Sequence, residues 1–516
     1  MAVRAAANPD AGQNPAARGA RRNALLSVAA VGVAALLAGA ALAGCQPGAS
    51  GSSGTGGLPS STASTASPDA SSSDTMGIGS PSEIVDPKGW PITIRSEAQG
   101  GMVVGPDGTV YAPGMVPADK TGRGRSGWLA LPDGSYLVPS AFGPDGSAFG
   151  EIDGKLWAFG PDGKARSGWP VDVAASSWAV SPAGSVYLMQ WPTEGSTSVT
   201  ILDDHAAAVS TWSVPKVLDY SCDYLIQQDG TFWLTYPVTD PGWWAACEIH
   251  AFNTKGHELS SGAPGQRWTG MSKGPNGVVV AWYYAFSDAS QDRPDKTRVA
   301  LVGLDGKPAK GWPITLDGAA SAPAFGPDGT IYFTLLASSE SRVLAFDATG
   351  RTKPGWPVRV TGDPLTVAAA GTEPLLPQPP IVGDGAVYVA TQKEIDGYDA
   401  TAKVLAGWPY VLPAAWDDSL CSGSDGSPIW NMGPVYSATE SGSNQLYLGL
   451  KDRIVALAPD GAVAAGWPYS AGPDFVCWRE FAPAPGGGLI ATASYQTAGG
   501  SEYRIVRLTP EAKFPE

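Results

Sequence analysis

The tripeptide Gly-Trp-Pro recurs along this chain at intervals of tens of residues, and it limits the possible folds more than any other feature. The copies begin at Gly89, Gly168, Gly311, Gly355, Gly407 and Gly466. In the segment "KPGWPVRV", from Lys353 to Val360, the three residues after the motif resemble a strand. A proline cannot donate the hydrogen bond that a strand in mid-sheet requires, so the motif is expected to begin an edge strand. Recurrence at such spacing indicates a repeat architecture.

The clearest repeat unit, residues 322–360, contains four strand-like segments. The first ends at Phe325, and the turn signal Pro327-Asp328-Gly329 separates it from the second, around Ile331 and Phe333. The third spans residues 343–346, and the fourth spans residues 356–360. Four antiparallel strands in about 40 to 50 residues, repeated along a chain, are typical of a β-propeller. The sequence therefore predicts an all-β fold with a single propeller.

The number of blades and the way in which the ring closes are also predicted. Nine turn signals occur, but the region Gly114–Leu137 is irregular, so eight blades are predicted, with seven and nine as alternatives. The first Gly-Trp-Pro precedes every Asp-Gly turn, whereas the last unit, ending in residues 503–513, has no such motif. An N-terminal strand is therefore expected to complete the last blade. Each motif tryptophan is expected to pack against the neighbouring blade, with a partner for its indole N–H.

The N-terminus has the organisation of an export signal. Basic residues Arg18, Arg21 and Arg22 precede an apolar stretch, residues 24–43, that ends in "LAGC" with Cys45. This order resembles a bacterial lipoprotein signal peptide with its lipobox, which implies cleavage after residue 44 and a lipid on Cys45. A transmembrane anchor is the alternative, and the export route, general secretory or twin-arginine, stays open.

Three segments are expected: a signal peptide at residues 1–44, a tether at residues 45–85 and a propeller at residues 86–516. The tether is rich in Gly, Ser, Thr and Pro and is predicted to be disordered. This organisation predicts a protein held at the cell membrane by its lipid and facing outside the cytoplasm.

The unit "DGTIY" followed by "VLAFDATGRTKPGWP" resembles the PQQ-like β-propeller repeat of the quinoprotein alcohol dehydrogenase-like superfamily. The resemblance covers most of residues 86–513. Its family includes quinone-dependent dehydrogenases, lipoprotein scaffolds of outer-membrane assembly and propellers without an assigned ligand. The dehydrogenases typically have an adjacent cysteine pair and a calcium site, but this chain has no Cys-Cys, and "SGSDGSP" (Ser422–Pro428) is too short and poor in ligands for a calcium loop. No cofactor and no metal are therefore expected.

The strand order assigns the connections to two faces. Turns from first to second and from third to fourth strands are short and share one face, whereas the long segments 237–246, 285–296, 361–379, 412–432 and 470–480 fall on the other. Long loops on one side of a rigid scaffold are where binding usually occurs. The candidate ligand-face residues are Trp243, Trp244, Trp416, Asp417, Asp418, Asp425 and Trp430. Aromatic rings beside carboxylates would suit a glycan, a cation or a protein loop, although packing and turn capping are the alternative roles.

Four further cysteines lie in the exported part, an even number for an oxidising compartment. Four cysteines permit three pairings. Cys222–Cys247 within one blade and Cys421–Cys477 between successive blade-to-blade loops are the predicted bonds.

No catalytic residue is predicted. The pattern "GMSKG" around Ser272 matches G-x-S-x-G, but it precedes a β-hairpin rather than a helix. The formal charge of −15 repels nucleic acid. We therefore expect a monomeric, non-catalytic binding or scaffolding module whose partner is an envelope protein or a glycan. A quinone- and calcium-dependent dehydrogenase is the first alternative, and a polysaccharide-binding or lyase-type propeller is the second.

Overall fold

The computed structural model describes fifteen stretches of the chain, and all of its regular structure is β. The described residues are 85–94, 101–173, 176–190, 196–214, 224–237, 247–261, 268–274, 277–286, 293–338, 340–367, 376–383, 385–413, 435–437, 444–450 and 453–514. Across these stretches there is no α-helix, and none therefore that could cross a bilayer.

The first half of the chain forms a short hairpin and four antiparallel sheets. The chain begins with β1 (Ile92–Ile94), β2 (Val103–Val104) and β3 (Val110–Tyr111). Blade 1 contains β4 (Ala141–Phe142), β5 (Ala148–Ile152), β6 (Lys155–Phe159) and β7 (Val171–Asp172). Blade 2 contains β8 (Ser176–Val180), β9 (Val186–Gln190), β10 (Thr197–Leu202) and β11 (Ala208–Val214). Blade 3 contains β12 (Tyr224–Ile226), β13 (Phe232–Pro237), β14 (Cys247–Phe252) and β15 (Glu258–Ser261). Blade 4 contains β16 (Gly270–Lys273), β17 (Val279–Ala285), β18 (Lys296–Val302) and β19 (Ile314–Asp317).

The second half forms four more sheets and a second short hairpin. Blade 5 contains β20 (Ala319–Ala320), β21 (Ala324–Phe325), β22 (Ile331–Leu336), β23 (Ser341–Phe346) and β24 (Val358–Arg359). The hairpin of β25 (Thr366–Val367) and β26 (Leu376–Pro377) follows. Blade 6 contains β27 (Ile381–Gly383), β28 (Ala386–Ala390), β29 (Glu394–Asp399) and β30 (Tyr410–Val411). Blade 7 contains β31 (Val435–Ser437), β32 (Gln445–Leu450), β33 (Arg453–Leu457) and β34 (Tyr469–Ser470). Blade 8 contains β35 (Phe475–Pro483), β36 (Leu489–Thr497) and β37 (Gly500–Leu508).

The N-terminal strand β1 completes blade 8. It pairs antiparallel with β37, with Ile92 opposite Ile505 and Ile94 opposite Tyr503, and the sheet order is β1-β37-β36-β35. Ile92 and Ile94 are each 2% exposed. The predicted closure of the ring by the N-terminal strand is therefore confirmed.

The described residues contain eight sheets of four or more strands, as predicted, and one reduced unit. The reduced unit is the β2–β3 hairpin, extended by isolated bridges from Ala118 to Val110 and Gly124. Its Val110 packs against blade 8, and its Tyr111 packs against blade 1. Further apolar clusters join the other successive blades. The propeller is therefore a closed ring in which the irregular region occupies a ninth, incomplete position.

Each Gly-Trp-Pro motif joins one blade to the next. The Trp-Pro peptide is cis in all six copies, and the proline leads into the outermost strand of its blade. Each indole N–H donates a hydrogen bond of 2.7–3.3 Å to a backbone carbonyl in the third-to-fourth turn of the following unit. The pairs are Trp90–Lys120, Trp169–Asp204, Trp312–Ala348, Trp356–Ala400, Trp408–Pro459 and Trp467–Pro510. Both predicted roles of the tryptophan are thus confirmed.

The glycine of the motif is required by a close approach of two backbones. Gly311 has φ of 89°, and a Cβ atom there would overlap the carbonyl oxygen of Thr349 in the next blade. Gly407 has φ of 82° and would meet the carbonyl of Asp460 in the same way. A side chain would therefore be strained by its φ and would also push two blades apart.

One predicted loop is largely a strand. Residues 470–480 were expected to form a blade-to-blade connection, but β35 begins at Phe475 and is the innermost strand of blade 8. Trp478 is 0% exposed, and its indole N–H donates to the carbonyl oxygen of Leu450 at 2.9 Å. Burial of this tryptophan against blade 7 favours a strand where a loop was predicted.

Candidate functional site

The seven predicted ligand-face residues lie outside the described residues. They are Trp243, Trp244, Trp416, Asp417, Asp418, Asp425 and Trp430. The proposed lipid anchor Cys45 and the tether also lie outside them. The strands that flank these segments are described, however. β13 ends at Pro237 and β14 begins at Cys247, whereas β30 ends at Val411 and β31 begins at Val435. Both connections leave the sheets at the face predicted to carry the insertions.

The cysteine prediction is wrong for one bond and partly confirmed for the other. Cys247 is a free thiol, 4% exposed, so the predicted Cys222–Cys247 bond is not formed. Cys247 is the first residue of β14, and its backbone is hydrogen bonded to Trp268, which places it within the blade rather than in a rim loop. Cys477 is disulfide-bonded, as predicted. Its partner lies outside the described residues, so pairing with Cys421 stays a prediction.

The opposite face of the propeller consists of short turns whose carboxylates serve the fold. Asp328 accepts the backbone N–H of Thr330 at 3.0 Å, and its second oxygen lies 3.0 Å from Lys353 Nζ. Burial raises the pKa of this carboxyl, but the bonds from Thr330 and Lys353 outweigh that effect and lower the pKa to about 2. The Arg125–Asp107 pair, at 2.7 Å, repeats the arrangement in the reduced unit. These carboxylates join the first turn of a unit to the residues just before its Gly-Trp.

One cluster of possible metal ligands occurs among the described residues, on an exposed turn of blade 2. It consists of Asp203, Asp204 and His205. Asp203 accepts the backbone N–H groups of His205 and Ala207, both at 2.9 Å. Asp203 therefore stabilises its own turn, and the cluster needs no ion to explain its geometry.

Ser272 lies in β16, which enters the β-hairpin that leads to β17. The expectation that this G-x-S-x-G match is not on a strand-to-helix turn is therefore confirmed. The described residues also contain buried ionisable groups whose pKa values are shifted.

Three such groups are Glu480, Asp396 and Lys273. Burial raises the pKa of Glu480, although its carboxylate accepts the backbone N–H of Met102 at 2.6 Å. Asp396 is 7% exposed, and its Oδ2 has no hydrogen-bond partner. Lys273 Nζ is buried and has no partner either, and burial lowers its pKa. Glu480 joins β35 to the residue before β2 and is structural, whereas the other two leave buried polar atoms unsatisfied.

No protein-family model matches this chain, and no curated protein matches it. Solved structures do match. Apo AztD from Citrobacter koseri has 14% identity over 72% of this chain and 93% of its own, with a TM-score of 0.36. Catalytically inactive virginiamycin B lyase from Staphylococcus aureus, with quinupristin, has 14% identity over 64% of this chain and 95% of its own, with a TM-score of 0.30. A protein of unknown function from Bacteroides caccae has 13% identity over 51% and 92%, with a TM-score of 0.25. Likenesses this low carry no argument about activity, so the propeller fold is established by the chain's own sheets and closure.

The sequence motifs do not single out Lys273, although the sequence carries a signal for it. The residue before the first turn of a unit is apolar in other units, as in Phe142 and Phe325. Comparison of the units with one another would have shown a lysine at an otherwise apolar position. Asp396 gave no such signal, because its burial depends on contact with the neighbouring blade.

Proposed function

We propose that this protein is an extracytoplasmic lipoprotein, anchored through Cys45, whose PQQ-like propeller is a non-catalytic binding or scaffolding module of the cell envelope. The observation that carries the proposal is the asymmetry between the two faces of the ring. Short turns held by carboxylates form one face, and the long connections leave from the other. A rigid scaffold with elaborated loops on one side is the usual design of a binding surface.

The strand bounds support this asymmetry. On the short-turn face, the first-to-second connections of blades 1, 2 and 5 span residues 143–147, 181–185 and 326–330. On the loop face, the connections span residues 238–246, 286–295 and 412–434. The second group contains the aromatic and acidic residues predicted to form the ligand face. A partner protein or a glycan that approaches from this side would meet them first.

The binding role is tested with the mature protein purified in detergent. The double substitution Trp243→Ala/Trp244→Ala removes two aromatic rings from the loop face, and Lys164→Ala/Lys255→Ala changes two exposed side chains on the short-turn face. Envelope cross-linking and a glycan array are performed with both. The proposal expects the tryptophan variant to lose its partner while keeping its Tm, and the lysine variant to keep both. A large fall in Tm for the tryptophan variant would instead assign these rings to packing.

The two enzymatic alternatives have their own measurements. Incubation with pyrroloquinoline quinone and calcium, followed by absorbance and dye-reduction assays, tests the dehydrogenase. Product analysis after incubation with polysaccharides tests the lyase. Turnover in either assay would replace the proposed binding role.

Anchoring is tested separately by Cys45→Ser. This variant should no longer be found in the membrane fraction, and it should not incorporate radiolabelled fatty acid. Retention of label in the variant would show that Cys45 is not the lipid site. A single species at the monomer mass in light scattering would support the expected monomer.

A further inference from the structure

Lys273 is exceptional when the units of the ring are compared with one another. It is the last residue of β16, the innermost strand of blade 4, and it precedes the first turn of that blade. The corresponding residues of seven other units are all apolar: Val104, Phe142, Val180, Ile226, Phe325, Val382 and Pro483. A charged side chain has thus replaced an apolar one at a fixed position of the repeat.

The ammonium group of Lys273 is buried without a partner. Its Nζ atom has no hydrogen-bond acceptor, and none of the ion pairs among the described residues includes it. Burial of an unpaired charge is strongly unfavourable. A lysine in this environment therefore either loses its proton or gains an acceptor from outside the chain.

The ladder shows which way Lys273 points. It lies directly opposite Val279 in the β16–β17 pair, and residues directly opposite each other project from the same face of a sheet. Val279 is 0% exposed, and its counterparts Phe232 of blade 3 and Val387 of blade 6 lie in the apolar clusters that join their blades to the preceding ones. Lys273 therefore faces blade 3, on the side of the interface where Trp233 packs.

Trp233 contributes a second unsatisfied donor to the same interface. Its side chain is 0% exposed, and its Nε1 has no acceptor. The preceding interface, between blades 2 and 3, has a tyrosine at this position. There Tyr187, which occupies the place of Trp233 in blade 2, donates its hydroxyl to the carbonyl oxygen of Gly230 at 2.9 Å and stacks on Phe232. An indole can only donate, so the interface between blades 3 and 4 contains two buried donors without acceptors. The interface between blades 2 and 3 has a satisfied tyrosine and the apolar Ile226 at the same two positions.

We propose that the interface between blades 3 and 4 binds a small monovalent anion, held by Lys273 Nζ and Trp233 Nε1. A chloride-sized ion accepts from several N–H donors at once and neutralises the ammonium charge. The neighbouring amide of Gln227 already donates to the carbonyl oxygen of Gly277, at 3.2 Å, and thereby joins the two blades beside the site. Lys273 as a whole is only half-buried, so part of its side chain reaches solvent next to the buried Nζ. This site is distinct from the loop face and does not depend on the function proposed above.

The probe is a halide, applied to the mature protein in detergent. Sodium chloride or bromide is expected to raise Tm in a saturable way relative to sodium gluconate at equal ionic strength, because gluconate is too large for a buried site. A sodium formate arm distinguishes a halide from a small carboxylate as the preferred anion. Crystals soaked in bromide should show an anomalous peak within hydrogen-bond distance of both Lys273 Nζ and Trp233 Nε1.

Lys273→Met is the decisive variant, because it restores the apolar character that the other units have. It should weaken the apparent halide affinity by more than about tenfold, since a charge-assisted hydrogen bond is lost. It should also raise Tm in gluconate, because the unpaired charge is gone. Lys155→Met, at an exposed position of blade 1, is the matched control and should leave the halide response unchanged.

Two results would overturn the proposal. One is an equal halide response in the wild type and in Lys273→Met. The other is a bromide-soaked crystal with no anomalous peak between blades 3 and 4, a measurement that does not depend on the folding of any variant.

Discussion

The indole N–H of Trp408 in blade 6 donates a hydrogen bond to the carbonyl oxygen of Pro459 in blade 7, 2.9 Å away. The ring of Trp408 also packs against Tyr388 of its own blade, with centroids 4.9 Å apart and ring planes tilted by 49°. One side chain therefore fills its own blade and bonds to the next. Since six units repeat this hydrogen bond, the ring is held together by a series of equivalent contacts between neighbours.

Trp408→Phe should destabilise the protein more than Trp212→Phe. Trp212 occupies the outermost strand of blade 2, is 8% exposed and has no acceptor for its Nε1. Both substitutions remove similar apolar area, but only the first removes a hydrogen bond. Trp408→Phe should therefore lower the free energy of unfolding by about 1 kcal/mol more than Trp212→Phe does. Urea denaturation measures both losses. Equal losses would mean that the indole bond contributes nothing measurable.

Gly407→Ala should lower the free energy of unfolding more than Gly127→Ala does. Both glycines precede a tryptophan and have similar positive φ values, 82° and 77°. A Cβ at Gly407 overlaps the carbonyl of Asp460, whereas a Cβ at Gly127 has no atom within 4 Å. Gly127→Ala should therefore lower the free energy of unfolding by about 1 to 2 kcal/mol, because of its φ alone. Gly407→Ala should lower it by at least about 1 kcal/mol more, because the neighbouring blade is displaced.

Thermal unfolding by calorimetry measures the two glycine variants side by side. If Gly127→Ala proves as costly as Gly407→Ala, the approach of the next blade would not be the reason for the glycine.

The sequence predicted the blade and the closure of the ring well because both depend on local patterns. The Asp-Gly turn before Ile331 and the proline before Val358 each determine a local conformation that recurs along the chain. The first Gly-Trp-Pro precedes every Asp-Gly turn and the last unit lacks the motif, and together these two facts predicted that β1 would complete the last blade. These features require no knowledge of which residue in one blade meets which residue in another.

The missed features depend on contacts between elements that are distant in sequence. Cys247 was expected at a rim because it ends a long connection, but its backbone pairing with Trp268 places it within the blade. Trp478 turns an expected loop into a strand because it packs against blade 7. Single-sequence patterns do not specify such contacts, so disulfide partners and buried charges were the least predictable parts.

The closure by β1 is tested by Ile94→Ala with Thr93→Ala as the control. Ile94 is 2% exposed and lies against the cluster that includes Ile490 and Ile505, whereas Thr93 alternates to the other side of the strand and is half-buried. Truncation of a buried isoleucine should cost about 2 to 5 kcal/mol, and Thr93→Ala should cost well below that. Proteolysis at native pH should release the N-terminus more rapidly in Ile94→Ala. Similar stabilities of the two variants would contradict the role of β1 as the closing strand.

The stability of the interface between blades 5 and 6 should depend on pH through Asp396. Burial and the nearby Glu394 raise the pKa of this carboxyl to about 6, although the backbone N–H of Thr361 from blade 5 and the Tyr398 side chain oppose the shift. The unfolded chain releases this proton near its ordinary pKa of 3.8, whereas the folded protein retains it. Stability should therefore fall as pH rises from about 4 to about 6, by at most about 3 kcal/mol in all, and then remain level.

Asp396→Asn keeps an acceptor for Thr361 and removes the ionisation, so it should be more stable than the wild type at pH 7 and should lack the decrease between pH 4 and 6. The contribution of Asp328 to stability should depend on pH with the opposite sign, because the pKa of Asp328 is lowered to about 2. Asp328→Asn tests it. Its wild-type contribution is present at neutral pH and is lost as pH falls from about 4 to about 2, so this variant should be less stable at pH 7. Urea midpoints from about pH 2 to about pH 8 measure both. Persistence of the wild-type slope in Asp396→Asn would show that another group produces it.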